Sequence, residues 1–140
     1  TQTIFYERSD VFFTSLHCRP EEEYPFLLGY ADEIGIDLGE NYNLNFPMKL
    51  GTNYETWKEA LSLAITEIKK YGPEVLLVSL GVDTFSEDPV GGFNLLSHDF
   101  LNIGKEIKAI NIPTHFVMEG GYAKKELGQN VSNVILGFLN

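Results

Sequence analysis

Three places in the chain put reactive side chains directly after an apolar run. Val75-Leu76-Leu77-Val78-Ser79-Leu80 precedes Gly81-Val82-Asp83-Thr84-Phe85 and then Asp88-Pro89. Thr114 to Met118 precedes Glu119-Gly120-Gly121-Tyr122, and Val11 to Leu16 precedes His17. A carboxylate can hold a metal or take a proton, a phenol can donate a hydrogen bond, and an imidazole can do either job. Glycines beside Asp83 and Tyr122 let a ligand come close to the backbone. Plainer readings fit the same residues. Asp83 suits a helix or turn cap, Tyr122 a ring packed at a helix start, His17 a hydrogen-bonded strand end, and Gly120-Gly121 an ordinary loop. One carboxylate, one phenol and one histidine do not make a zinc site by themselves, because catalytic zinc usually takes three protein ligands.

Positioning these residues is the work of the elements around them. Val11 to Leu16 is rich in strand formers, and Asn43 to Phe46 is a short strand candidate closed by Pro47. Between them lies a loop holding Glu21-Glu22-Glu23, Pro20, Pro25, Gly29, Gly35 and Gly39. Trp57, Leu61, Ala64, Ile65 and Ile68 recur at three and four residues, so 53–71 reads as a helix, with Lys69 and Lys70 near its negative end and Gly72-Pro73 stopping it. The unbroken run Val75 to Leu80 predicts a strand buried on both faces. Ser97 can cap a helix reaching about Ile110, with Phe100, Leu101, Ile103, Gly104 and Ile107 inward. Thr114 to Met118 is a further buried strand, and a last helix is expected from about Lys124 to Leu139. Strands alternating with helices at these lengths predict an α/β fold of three layers, a parallel sheet with helices on both faces. In such sheets ligands bind beyond the carboxyl ends of the strands, where all three groups lie.

Composition narrows the function. The chain has 140 residues, 44% of them hydrophobic, enough for a folded core. The formal charge is -10, which disfavours nucleic acid and anionic membranes and favours a cationic ligand, although solubility alone also accounts for it. The single cysteine, Cys18, excludes an internal disulfide and suits a reducing, cytoplasmic setting. Asn130-Val131-Ser132 matches a glycosylation acceptor, discounted because it falls in the last helix. No apolar run approaches the ~18 residues of a membrane helix.

Several stretches together resemble the zinc-dependent deacetylases of the acetylpolyamine amidohydrolase and histone deacetylase superfamily. Val78 to Phe85 with Asp88-Pro89 resembles the segment that supplies its third zinc ligand, and Met118-Glu119-Gly120-Gly121-Tyr122 the segment with its catalytic tyrosine. Phe5 to Val11, Ser15-Leu16-His17, Asn45-Phe46-Pro47-Met48, Gly51-Thr52-x-Tyr54-x-x-Trp57 and Gly128-x-Asn130-Val131-x-Asn133-Val134 fit in order. Gly29-Tyr30-Ala31-Asp32-Glu33 and the Met-Glu-Gly-Gly-Tyr stretch bring it nearer to bacterial acetylpolyamine amidohydrolases. The resemblance implies half of an arginase/deacetylase-type fold. It implies Asp83 as a zinc ligand (iron being the alternative metal), Tyr122 as the donor to the substrate carbonyl, and Tyr24, Val90, Phe93, Gly120 and Gly121 along the substrate tunnel. It also implies a structural potassium site at Ser15 and Leu16 and a second formed by the backbones of Phe5, Arg8, Val11 and Tyr42. His17 is no zinc ligand in that pattern.

The resemblance also carries a departure. The family's other two zinc ligands and its catalytic histidines lie upstream of the position matching Thr1. Residues 1–140 are accordingly expected to be the C-terminal portion of one domain, partnered by the N-terminal half of the same protein and open to homo-oligomer formation. The implied reaction is removal of an acetyl group from a small cationic amine. Deacetylation of acetyl-lysine on proteins and a non-catalytic α/β interaction module are the alternatives.

Overall fold

Strand β1 covers Phe13–Cys18 and pairs in parallel with β2, Asn43–Met48, from Phe13 opposite Asn43 to Cys18 opposite Met48. β2 runs through Pro47 rather than ending before it. A two-stranded sheet leaves one side of each strand unpaired, and proline is tolerated where its missing N–H faces that side. Strand β3, Leu76–Leu80, pairs in parallel with β4, Thr114–Met118, from Leu76 opposite Thr114 to Leu80 opposite Met118. The α/β class and the parallel direction are as expected. The expected single sheet is instead two parallel pairs. Apolar runs mark strands but say nothing of which strand pairs with which, and β1 takes β2 as its neighbour.

The computed structural model describes residues 1–24 and 26–140; Pro25, expected in the long loop, lies outside the described residues. The chain divides into two units. One is Thr1–Leu50 with Glu59–Tyr71 and holds β1 and β2; the other is Gly51–Lys58 with Gly72–Asn140 and holds β3 and β4.

The first unit begins with a short helix, α1, at Gln2–Phe5, which no periodicity announces. Helix α2, Tyr54–Tyr71, contributes to both units. It starts where Asn53 Oδ1 accepts the Thr56 N–H at 3.2 Å, a side-chain cap on an otherwise orphaned donor. Trp57, Leu61, Ala64 and Ile68 are buried as their spacing predicts, together with Tyr54 and Ala60. Its last residue, Tyr71, stacks on Phe12 at 5.4 Å, meets Tyr42 edge-on at 5.7 Å, and donates its hydroxyl to the Ser9 carbonyl at 3.2 Å.

In the second unit, helix α3 spans Ser97–Lys108 and α4 spans Leu127–Leu139. Ser97 is the first helical residue, not the cap. Asp99 does the capping work by accepting the Leu96 N–H at 2.8 Å, because a carboxylate three residues into a helix can reach back to that donor. α4 begins three residues later than expected, since 124–126 form a turn in which the Glu126 N–H reaches the Ala123 carbonyl at 3.1 Å. The two helices cross at paired glycines. A methyl on Gly104 would strike the Val134 carbonyl, and one on Gly137 the Leu101 carbonyl. Phe116 of β4 meets Phe138 of α4 edge-on at 5.2 Å.

The expectation that β3 is buried on both faces is not met. Burial alternates along it, and Leu77 is exposed, as are His115, Val117 and Met118 on β4. Apart from Ser79 the strand is apolar, yet the face carrying Leu77 and Ser79 is open among the described residues.

Candidate active site

The parallel ladder of β3 and β4 continues past both strand ends. The Glu119 N–H donates to the Leu80 carbonyl at 2.9 Å, and the Val82 N–H to the Gly120 carbonyl at 2.8 Å. These two bonds bring the Gly81-Val82-Asp83 and Glu119-Gly120-Gly121 stretches side by side at the carboxyl end of the pair. The Asp83 carboxylate lies against two glycines. A methyl on Gly81 would come within 2.8 Å of Asp83 Oδ1, and one on Gly120 would overlap Oδ2. Neither position can carry a side chain without moving the carboxylate, so both glycines have a steric reason to be there.

Gly121 holds φ at +152°, and a methyl there would press on Val82 and Leu127. Tyr122 follows, 50% exposed and five residues before α4 begins. The reading of Tyr122 as a ring packed at a helix start therefore does not hold. Asp83 starts no helix but lies in the turn between β3 and α3, so only the helix half of its plainer reading is set aside.

Asp88 ties the two loops together. Its Oδ1 accepts the N–H groups of Val90 at 2.9 Å and Gly91 at 3.2 Å. Its Oδ2 accepts those of Tyr122 at 2.6 Å and Ala123 at 2.9 Å. The side chain is buried, at 8% exposure. Burial pushes its carboxyl up, but the backbone donors of Tyr122, Val90, Ala123 and Gly91 together outweigh burial and hold it below the ordinary carboxylate value. A carboxylate offers about four lone-pair sites, and four donors fill them. Asp88 is thus a structural anion, with no capacity left for a metal.

The tunnel residues expected in this unit separate by burial. Val90 is exposed, whereas Phe93 is 4% exposed and packs in the core. Tyr24, in the other unit, is 83% exposed.

Along β1 and β2 polar side chains bond one another, although Thr14 Oγ1 and the Oδ1 atoms of Asn43 and Asn45 are buried without a partner. His17 Nδ1 pairs with Ser15 Oγ at 2.8 Å, and Nε2 donates to the Gly29 carbonyl at 2.8 Å. Glu33 Oε2 accepts the Gly29 N–H at 2.7 Å and the Gln2 side-chain amide at 2.6 Å. Gln2 Oε1 in turn accepts from Asn45 at 2.7 Å and Asn43 at 3.1 Å. The Gly29–Glu33 stretch is thereby laced to β2. Its signal in the sequence is the pair Asn43 and Asn45, two residues apart on one face of a strand. The carbonyls of Phe5 and Tyr42 accept from Arg8 at 3.0 Å and Phe13 at 2.9 Å, and each keeps a second lone pair. The Arg8 guanidinium is turned to Asp10, at 2.6 Å, leaving only its backbone for the role expected of it.

Among the described residues no three His, Cys, Asp or Glu side chains converge as a metal cage. Asp83, a hard anion at the open end of a strand pair, fits one ligand position of a zinc site, and the oxygen donors of the first unit fit a potassium ion.

The histone deacetylase domain matches residues 1–138. The chain belongs to the histone deacetylase family. Within it, acetylpolyamine amidohydrolase 2 of Pseudomonas aeruginosa is 52% identical over 138 residues, covering 99% of this chain and 40% of that protein. Acetylpolyamine amidohydrolase of Mycoplana ramosa is 50% identical over 137 residues, again 40% of its length. The crystal structure of acetylpolyamine aminohydrolase from Burkholderia pseudomallei matches with a TM-score of 0.95 at 36% identity, over 98% of this chain and 40% of that one. This member of the histone deacetylase family thus spans about 40% of the length of the relatives it matches. No helix among its described residues is long and apolar enough to cross a membrane.

Proposed function

We propose that the chain is the C-terminal portion of a zinc-dependent amidohydrolase that removes acetyl groups from N-acetylated amines, acetylpolyamines first. The observation that carries this reading is the joining of the Asp83 and Tyr122 loops at one end of the β3–β4 pair. The names and identities of the relatives support the substrate class, and so does the net charge of -10, which favours a polycationic product precursor. The exposed face of β3 and β4, on which Leu77 and Val117 lie open, supports a covering layer from the rest of the same domain. Cys18, the sole cysteine, suits a reducing cytoplasm.

Asp83 would hold the zinc, iron being the alternative, with further ligands from outside residues 1–140. Ser15 and Leu16, and the backbones of Phe5, Arg8, Val11 and Tyr42, would hold structural potassium. When bound, zinc supplies Lewis-acid polarisation and an activated water. Tyr122 donates its hydroxyl hydrogen to the carbonyl oxygen as negative charge gathers there, so it acts more strongly in the transition state than on bound substrate. Gly120 and Gly121 would keep the backbone clear of the acyl group, and Val90, exposed in the same unit, would shape the approach of the amine.

The test uses the full-length protein with N-acetylspermidine and an acetyl-lysine peptide side by side. Tyr122→Phe is expected to lower kcat by roughly 10²–10³-fold with metal content unchanged and KM moved much less. Near wild-type turnover in that variant would remove Tyr122 from the reaction, and preferential turnover of the peptide would move the substrate to proteins.

A further inference from the structure

We propose that Asp88 is a positioning residue that aims the Tyr122 hydroxyl, an inference that rests on the deacetylase reading above. The last ladder bond along β4 is made by the Gly120 carbonyl, and α4 begins only at Leu127. Between them Gly121, at φ +152°, adds no stiffness of its own, and the Tyr122 ring is half-exposed, so packing alone does not set its direction. The backbone at Tyr122 and Ala123 is held by Asp88 Oδ2, at 2.6 and 2.9 Å. The other oxygen of the same carboxylate holds Val90 and Gly91, in the loop that also carries Asp83. One buried anion therefore sets the placement of the tyrosine relative to the Asp83 loop. With all four acceptor sites filled by backbone donors, Asp88 itself neither touches substrate nor takes a proton from it.

Asp88→Asn separates this from a general role in stability. An asparagine has one oxygen and one NH₂, so in either orientation one pair of N–H groups meets a donor in place of an acceptor. In full-length protein, Asp88→Asn should lower kcat by about 10–100-fold, the scale of an ångström-size misplacement, with KM and bound metal nearly unchanged. The deciding measurement is the double variant. If Asp88 acts through the tyrosine, Asp88→Asn added to Tyr122→Phe costs little further kcat; multiplying losses would overturn the inference. Amide hydrogen exchange at Tyr122 and Ala123 should quicken in Asp88→Asn, and unchanged exchange would equally overturn it. Should Asp88→Asn not fold, Asp88→Glu keeps both oxygens on a longer arm and is expected to give a smaller loss with the same non-additivity. A wild-type protein without turnover would sink the parent reading, whereas an active protein with additive losses would sink only the role of Asp88.

Discussion

The two strand pairs end in the same way and do different work. Each is parallel, each carries polar residues at or beyond its carboxyl end, and each sets a glycine against one of them. At β1–β2 the glycine is Gly29 and its neighbour is His17; at β3–β4 the glycine is Gly120 and its neighbour is Asp83. At the first end the imidazole is held at both nitrogens, by Ser15 and Gly29, inside a side-chain network that fastens a loop. At the second end the fastening is done by a separate acid, Asp88, which takes backbone donors from both loops. That fastening acid lies in the same loop as a second carboxylate, Asp83, and binds the backbone N–H of Tyr122. A reactive residue type at a strand end is therefore an ambiguous sign, and what resolves it is which group does the structural bonding.

The sharpest test of the contrast is removal of Asp83. Asp83→Ala in the full-length protein should abolish metal retention and turnover together, well beyond the about 10–100-fold that loss of an outer partner costs. A variant that keeps its zinc and activity would put the metal elsewhere.

Next come the mirrored glycines. Gly120→Ala places a methyl on Asp83 Oδ2, so metal affinity should drop by about 10–100-fold, read by competition with a chelator, while the melting temperature changes less. Gly29→Ala adds a methyl against the His17 ring at φ +99°. It should cost stability on the order of 1–3 kcal/mol and leave kcat of the folded protein near wild type. The comparison between the two ends breaks if Gly29→Ala impairs catalysis as much as Gly120→Ala does.

How much of this the sequence discloses depends on range. Helix α2 was legible to within a residue because its apolar spacing is long and regular, and β3 and β4 because their runs are unbroken. Strand partners were not, since pairing is a long-range choice that composition does not encode. Nor was α1, four residues with no periodicity. At the site, Asp83 and Tyr122 stood out by their glycines and strand-end positions. Asp88 was visible as part of a motif, but its work consists of bonds to backbone N–H groups as much as 35 residues away, which leave no mark on residue type. Ser97 misled for the opposite reason. It has the chemistry of a cap, yet Asp99 can reach the same helix end.

The smallest expected effect concerns acid. The Asp88 carboxyl lies below its ordinary value in the folded protein, burial working against the shift and four N–H donors producing it. A carboxyl depressed on folding contributes stability that is fully present above its unfolded value of about 4, and the contribution fades as pH falls through the folded value. Below that point the folded protein must take up a proton at Oδ1 or Oδ2 and surrender an acceptor to do so. Urea-unfolding midpoints of wild type and Asp88→Asn should therefore differ most at neutral pH and converge as pH is lowered from about 5 towards about 2. Other carboxylates shift both proteins alike, so the difference isolates this one group. Asn45→Ala removes a neutral amide that donates to Gln2 Oε1, so it should instead stay offset from wild type by a nearly constant amount over the same range. A wild-type-to-Asp88→Asn gap that stays equally constant would mean that the clamp does not rest on the carboxylate charge, and the distinction between the two strand-pair ends would then lose its electrostatic basis.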